Sequence, residues 1–235
     1  MTALLGATRS LRPGEIVGQV QLVLKERGVD LQRERLNLVF MGMGEPFLNY
    51  QNFMQAVHLL VQGTGIPESH MTVSTVGIVP RIKEFGREPV RPRLAISLNA
   101  PNDALRDRLM PINRKWNLAS LLCAARSFPL RERERLTFEY VLLKGVNDGP
   151  QNACQLVRLL HGVRCKVNLI ALNSGPDIPF ATPSPEAIAR FQAVLSKAGI
   201  GAYVRKPRGR DIFAACGQLK RTATLPISPQ FDNGD

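Results

Sequence analysis

The segment with the strongest chemical character lies toward the carboxyl end, where the stretch VRKPRGRDIFAAC runs from clustered cations into Cys216. The basic residues of this stretch are Arg205, Lys206, Arg208 and Arg210. Such cations can contact phosphate groups, although a solvated basic loop accounts for them equally well. They also stabilise a neighbouring thiolate and make it nucleophilic, whereas a lone cysteine is more often a buried thiol. Local sequence therefore leaves two interpretations of Cys216 open, a reactive nucleophile and a packing residue.

Glycines and small polar residues follow several of the apolar runs. In GMGEP the glycines at 42 and 44 let the backbone approach a ligand, and Glu45 can accept hydrogen bonds from an ammonium group or a ribose. A glycine turn with a capping acid is the competing interpretation, because GxG without a third glycine is a weak signal. Residues of similar character after later runs are Ser74, Ser97 and Asn99. Each of these three can equally cap a helix.

The chain has four cysteines, at positions 123, 154, 165 and 216, separated by 31, 11 and 51 residues. No pair has the short spacing typical of a zinc or iron–sulfur motif, so we predict no metal-binding motif in the chain itself. Scattered cysteines without a recognisable signal peptide favour reduced thiols and a cytoplasmic location.

Alternating apolar runs and amphipathic segments must position these residues. The predicted strands are 36–43, 70–76, 93–100, 135–143, 165–172 and 201–207. The predicted helices include 13–27, 49–63, 78–88, 149–162 and one that starts after an N-cap at Ser184. This alternation predicts an α/β fold with a parallel sheet, either a doubly wound open sheet or a full or partial barrel. In both architectures the reactive groups belong at the carboxyl ends of the strands.

Composition and charge bound the class of partner. The chain has 31 basic and 19 acidic residues and a net charge of +12, which favours a polyanionic partner. Nucleic acid is favoured over an anionic membrane, because the sequence has no run of 18 apolar residues. The segment RERER at 131–135 alternates in charge and is interpreted as solvated. We predict one domain over residues 1–220 and a flexible tail over residues 221–235.

Taken together, these segments resemble the RlmN/Cfr family of radical S-adenosylmethionine RNA methyltransferases. The matching stretches are RPGEIVGQV, VFMGMGEPFLNY, TVSTVGIVPRI, RLAISLNAPNDALRDRLMPINRKW, FEYVLLKGVNDG, KVNLIALN and RGRDIFAACGQL. They run in order over nearly the whole chain, from about residue 10 to residue 220. The resemblance implies a partial (β/α)6 barrel that carries a [4Fe–4S] cluster and binds S-adenosylmethionine at the carboxyl ends of its strands.

The resemblance also implies a set of ligand contacts. By motif match these are Gly44, Glu45, Ser74, Ser97, Leu98, Asn99 and Asn173. The first two correspond to a contact with the methionine end of the ligand, and Asn173 to one near its adenosyl part. Asn99 stands where the family often has histidine, which keeps a polar side chain but changes its geometry and its titration.

Cys216 matches the cysteine that carries the methyl group in this family, and the basic residues before it become candidate RNA contacts. The family's thiolate takes a methyl group from one S-adenosylmethionine. A radical made from a second molecule at the cluster then activates the methyl group for addition to C2 of an adenosine. The implied partners are 23S ribosomal RNA, transfer RNA in some members, and an electron donor such as flavodoxin. A C8-methylating member of the family and a cluster-free domain that binds RNA or a ligand are the alternatives.

The family's cluster motif, CxxxCxxC, is absent from this sequence. In the family, a stretch like MTALLG follows directly after the third cysteine of that motif. We therefore expect a barrel without its first strand and cluster loop. A misassigned start or a gene remnant is the favoured explanation, over a protein that functions without a cluster. Such a chain would be inactive in radical chemistry and poorly stable, because a strand edge and part of the core would be exposed.

Overall fold

A computed structural model of the chain describes residues 9–173 and 178–205. Cys216 and three of the basic residues before it, Lys206, Arg208 and Arg210, lie outside the described residues. So does the predicted tail at 221–235.

The described residues form one sheet of six parallel strands with helices between them. The strands are β1 (Leu38–Phe40), β2 (Met71–Thr75), β3 (Arg93–Ser97), β4 (Leu136–Leu142), β5 (Cys165–Ala171) and β6 (Gly201–Arg205). The α-helices are α1 (Pro13–Arg27), α2 (Tyr50–Thr64), α3 (Val79–Phe85), α4 (Asp103–Leu109), α5 (Leu118–Arg126), α6 (Pro150–Leu160) and α7 (Pro185–Lys197). Short 3-10 helices occupy Pro46–Asn49, Glu68–His70 and Pro111–Arg114. No helix in the described ranges is long and apolar enough to cross a membrane.

The order of the strands decides between the two architectures that the sequence allowed. Across the sheet the order is β1-β2-β3-β4-β5-β6, the same as along the chain, and every adjacent pair is parallel. A doubly wound sheet reverses its strand order at a switch point, whereas a barrel adds each strand beside the preceding one. The predicted α/β fold of the partial-barrel type is therefore confirmed.

The hydrophobic core lies on one side of this sheet. Alternate strand residues join the helices in one cluster: the Tyr140 ring lies 5.3 Å from Phe191 of α7, and Phe40 lies 5.1 Å from Phe53 of α2. The intervening positions face away from the helices, and we call this side of the sheet the inner face. Its polar members in β2 to β5 are Thr72, Ser74, Arg93, Ser97, Thr137, Glu139, Lys166 and Asn168. Strand alternation thus places polar groups together opposite the core.

Local sequence signals account for several of the element boundaries. Ser184 caps α7 by accepting a hydrogen bond from the amide of Ala187 at 3.2 Å, as its position predicts. The predicted strand 93–100 ends earlier, at Ser97, since Asn99 adopts a left-handed φ of 57° that a strand does not accommodate. Helices and strands are therefore where the periodicity predicts them, but the strands are shorter.

A buried ion pair ties the loop before β3 to the loop before β4. Arg91 donates two hydrogen bonds to the Glu134 carboxylate, at 2.8 and 3.0 Å, and the two side chains are only 3% and 4% exposed. The guanidinium also lies 4.6 Å from the ring centre of Phe128. The interpretation of 131–135 as a solvated segment is wrong for Glu134, because its partner comes from a loop 43 residues away.

The Arg91–Glu134 pair predicts a stability that depends on pH. Burial opposes ionisation of Glu134, but the hydrogen bonds from Arg91 and from the Arg131 amide, together with the charges of both arginines, outweigh it and hold the pKa of the carboxyl below its usual value. This stabilisation is present above the unfolded-state pKa of about 4.3 and is lost as the pH falls through the lower folded value. We expect Glu134→Gln to lower the free energy of unfolding at pH 7 by about 3 kcal/mol, because it leaves a buried charge uncompensated.

Urea denaturation between pH 3 and pH 7 measures this effect, and the difference between wild type and variant should shrink as the pH falls. Glu132→Gln changes a nearby exposed carboxyl and is the matched control. A loss of stability in Glu134→Gln that stays constant over this pH range would contradict the assignment.

Candidate functional site

The loop after β1 is tied to the end of β2 by Glu45. Its carboxylate accepts hydrogen bonds from the hydroxyl of Thr75 at 2.7 Å and from the amides of Val76 at 2.8 Å and Phe47 at 3.1 Å. Burial raises the pKa of Glu45, and these hydrogen bonds partly offset that effect. The preceding Gly44 has a φ of 89° and open space where a side chain would be. Glu45 therefore serves as a capping acid in this structure, while the backbone at Gly44 stays accessible to a ligand.

Two of the predicted ligand contacts meet on the inner face. The hydroxyl oxygens of Ser74 in β2 and Ser97 in β3 lie 3.5 Å apart. The Ser74 hydroxyl donates to the carboxylate of Glu139 in β4 at 3.2 Å. In the strand register, Glu139 pairs with Ser97 on one side and with Asn168 of β5 on the other. Four consecutive strands thus contribute one row of polar side chains across the inner face, which we call the polar row: Ser74 and Ser97 near the carboxyl ends of β2 and β3, and Glu139 and Asn168 in the middle of β4 and β5.

Glu139 is a residue of this site that the sequence reasoning missed. Burial raises the pKa of its carboxyl, against the hydrogen bonds from Ser74 and Asn168 and the positive charge of Arg205. The available signal was an acid inside the otherwise apolar strand sequence LTFEYVL. A charged residue at such a position is rarely buried unless it is paired or functional.

Asn99 connects the end of β3 to the end of β4. Its side-chain oxygen accepts a hydrogen bond from the Val141 amide at 2.9 Å, and its amide nitrogen lies 3.3 Å from the sulfur of Met110. The buried Asn147 adds two bonds, donating to the carbonyls of Asn99 at 2.9 Å and Val141 at 2.8 Å. The loop after β3 is therefore held in place by side-chain amides in addition to backbone hydrogen bonds from Leu98 and Asn99 to the carbonyl of Glu139.

A buried arginine holds the ends of β2 and β3, including the predicted contact residue Leu98. Arg106 of α4 donates to the carbonyls of Val76 at 2.8 Å, Ser97 at 3.1 Å and Leu98 at 3.1 Å. A fourth bond, 2.9 Å long, goes to the side chain of Asn113. Burial lowers the pKa of Arg106 to about 10, so the guanidinium is still charged at neutral pH.

The remaining predicted site residues are spread over the last two described strands. Asn173 lies two residues beyond the end of β5 and is partly buried. Arg205 is the last residue of β6, is exposed, and pairs in register with Ile170. The structure thus brings Ser74 and Ser97 into contact and places the other described candidates at the same edge of the sheet.

The described residues do not fit an iron–sulfur cluster. Within residues 9–173 and 178–205, no group of three or more His, Cys, Asp or Glu side chains is placed to hold a metal ion. The three cysteines in these ranges are free: Cys123 and Cys154 are exposed on helices, and Cys165 is buried in β5. A [4Fe–4S] cluster is held by cysteine thiolates that converge on one point.

Arg106 provides a test of how the site is held. We expect Arg106→Met to lower the free energy of unfolding by about 3 kcal/mol, because several buried carbonyl groups lose their hydrogen-bond donor while the side-chain volume stays similar. Arg108→Met replaces an exposed arginine of the same helix and should change stability by less than about 0.5 kcal/mol. Urea denaturation measures both variants. Equal stability of the two would show that the Arg106 hydrogen bonds are dispensable.

The chain is similar to known proteins over most of its length. A family model described as the Radical SAM superfamily matches residues 8–157. "Probable dual-specificity RNA methyltransferase RlmN" of Koribacter versatilis is 64% identical over 228 residues, which cover 97% of this chain and 66% of that protein. "Dual-specificity RNA methyltransferase RlmN 2" of Myxococcus xanthus is 49% identical over 225 residues, covering 93% of this chain and 59% of that protein. The chain therefore spans between 59% and 66% of the length of these two relatives.

Solved structures show the same fold. The crystal structure of a radical SAM methyltransferase from Sphaerobacter thermophilus matches 92% of this chain and 63% of its own, with a TM-score of 0.86 and 47% sequence identity. A domain of pyruvate-formate lyase-activating enzyme from Bacteroides vulgatus matches with a TM-score of 0.55 at 18% sequence identity. An identity this low shows similarity of fold alone.

Proposed function

The chain belongs to the radical SAM superfamily, and we propose that it forms the S-adenosylmethionine-binding part of an RNA methyltransferase of the RlmN type. The observation that carries the proposal is the polar row of a sequentially ordered parallel sheet, in which Ser74 and Ser97 lie near the carboxyl ends of β2 and β3. In barrel enzymes this end of the strands holds the reactive groups. The similarity to relatives named RlmN supplies the reaction class.

The chemistry of the polar row fits S-adenosylmethionine. The ligand has an ammonium group, a positively charged sulfonium, a carboxylate and ribose hydroxyls. Hydroxyl groups of Ser74 and Ser97 can bond the ribose or the ammonium, and the partly buried carboxylate of Glu139 lies beside them. We propose that the ligand is held by these side chains together with Gly44, Glu45, Leu98, Asn99 and Asn173. When bound, it supplies an electrophilic methyl group on a positively charged sulfur.

We propose Cys216 as the residue that accepts this methyl group. In the displacement, a bond forms between the Cys216 sulfur and the methyl carbon as the carbon–sulfonium bond breaks, leaving a neutral thioether. The basic residues just before Cys216 favour its thiolate, which is the nucleophilic form. Cys216 lies outside the described residues, so the support for this role is its sequence context.

The RNA substrate is proposed from the relatives and from charge. Both relatives are named dual-specificity RNA methyltransferases, and a net charge of +12 suits a polyanionic partner. We propose that the RNA methyltransferase of which this chain forms the ligand-binding part acts on C2 of an adenosine in 23S ribosomal RNA, and in transfer RNA, with an electron donor such as flavodoxin and in the cytoplasm. The C8-methylating branch and a cluster-free domain that binds RNA or a ligand are the alternatives. Among the described residues Arg205 is the candidate RNA contact, followed in sequence by Lys206, Arg208 and Arg210.

The proposed function of this chain includes no step at an iron–sulfur cluster. The described residues do not fit such a cluster, and the four cysteines of the sequence lack the CxxxCxxC spacing. The proposed function therefore comprises ligand binding, methyl acceptance at Cys216 and contact with RNA.

The proposed ligand site predicts that the two inner-face serines contribute to affinity. We expect the double variant Ser74→Ala/Ser97→Ala to weaken S-adenosylmethionine binding about tenfold, because each lost hydrogen bond is worth about 0.5–1.5 kcal/mol. Isothermal titration calorimetry measures the affinity. The matched control, Ser120→Ala/Ser196→Ala, changes two exposed serines on α5 and α7 and should bind as the wild type does. Wild-type protein that binds no S-adenosylmethionine would refute the proposed function.

The cysteine spacing predicts the result of cluster reconstitution. After anaerobic incubation with iron and sulfide, we expect far less than one [4Fe–4S] cluster per chain, because no three thiolates are placed together in the described ranges. Iron and sulfide analysis with visible absorption gives the stoichiometry, and a ferredoxin treated in parallel is the positive control. A stoichiometric cluster in the chain would contradict the prediction.

A further inference from the structure

Glu139 is the one acidic residue in the six described strands. The other charged residues on the inner face are basic: Arg93 in β3, Lys166 in β5 and Arg205 in β6. These cations favour an anion on the inner face, whereas Glu139 places a negative charge on the same face, in the middle of β4. The inner face therefore has a separate acidic point inside a basic lining.

The Glu139 carboxylate is held by neutral groups. Its hydrogen bonds come from the Ser74 hydroxyl at 3.2 Å and from Asn168. Within the described residues it forms no ion pair, although Arg205 contributes a favourable charge from the exposed end of β6. Glu139 is partly buried. A carboxylate that is partly removed from water without a close cation has a desolvation cost, and glutamine would have a similar shape without that cost. The charge itself is therefore the feature that requires a function.

The bond to Glu139 also orients the Ser74 hydroxyl. A hydroxyl has one proton and two acceptor lone pairs, and the Ser74 proton is donated to the carboxylate. The Ser74 oxygen is then left as an acceptor toward Ser97, 3.5 Å away, and toward any ligand in the same space. Glu139 consequently makes this point of the site accept hydrogen bonds and favour positive charge.

S-adenosylmethionine and its demethylated product differ by one methyl group and one positive charge. The sulfonium is cationic and S-adenosylhomocysteine is a neutral thioether at the same sulfur. A fixed negative charge near the ligand therefore binds the cationic ligand more tightly than the neutral one. Hydrogen bonds to the shared ribose, adenine and amino acid groups do not discriminate between the two ligands. A single buried charge at short range is enough to change relative affinity about tenfold.

We propose that Glu139 is a specificity-determining residue, which makes the site prefer the sulfonium ligand over the thioether product through its own charge and through its hold on the Ser74 hydroxyl. The inference rests on the proposed binding of S-adenosylmethionine. A purely structural role for Glu139, as a link between β2, β4 and β5, is the competing explanation.

Calorimetric titration of wild type and Glu139→Gln with each of the two ligands separates these roles. We expect the variant to bind S-adenosylmethionine about tenfold more weakly and S-adenosylhomocysteine within about threefold of the wild type, so that the preference largely disappears. Glu139→Asp retains the charge but shortens the reach to Ser74, and it should keep the preference at lower overall affinity. Glu132→Gln, an exposed change four residues before β4, is the control.

Stability provides the second readout. Because burial disfavours the Glu139 carboxylate, we expect the urea midpoint of Glu139→Gln at pH 7 to equal or exceed that of the wild type. A lower midpoint together with equal loss of both ligands would mean a structural role and would overturn the inference. Wild-type binding of both ligands by Glu139→Gln would also overturn it while leaving the proposed function intact. Failure of the wild type to bind S-adenosylmethionine would refute the proposed function and this inference with it.

Discussion

The arrangement of the carboxyl edge of the sheet depends on the burial of one guanidinium group. Carbonyl groups at the ends of parallel strands lose their sheet partners, and burying them unpaired is costly. Arg106 satisfies three of them, from Val76, Ser97 and Leu98, with its planar fork of donors. The fit requires glycine at position 77, where φ is 106° and an added side chain would lie 3.0 Å from Leu121 and 3.4 Å from Arg106. The ends of β2 and β3 are thereby fixed side by side.

The same type of interaction is repeated along the edge. Glu45 joins the loop after β1 to the end of β2, and Asn147 joins the loop after β3 to the end of β4. In each case a polar side chain forms hydrogen bonds with backbone amide or carbonyl groups that have no partner in the sheet. Because the backbone is held by the protein's own side chains, the hydroxyls of Ser74 and Ser97 are in place before any ligand binds. Such preorganisation is what a binding site needs for affinity and selectivity.

Stability and function make opposite demands on the inner face. The helices cover one side of the sheet with a continuous core, and the residues of the polar row on the other side are themselves partly buried. Shielding strengthens the interaction of Glu139 with a cationic ligand, but it also raises the cost of ionising Glu139 when that ligand is absent. Under the proposed function, Glu139 is a position where ligand binding favours a charge that folding disfavours.

The sequence by itself determined the α/β class, the succession of helices and strands, the cap at Ser184 and the motifs that place Ser74 and Ser97 at strand ends, since these depend on periodicity and local chemistry. Periodicity alone did not determine which of two sheet architectures forms, a choice that only the family resemblance indicated, nor that Glu134 is buried and Glu139 partly buried. Glu134 meets an arginine 43 residues away, and Glu139 meets a serine 65 residues away. Periodicity states which face of a strand a residue occupies, but only the order and register of the strands decide which distant side chains share that face. The free energy of a carboxylate removed from water depends on those neighbouring side chains. The roles of Glu134 and Glu139 were therefore set by the tertiary structure.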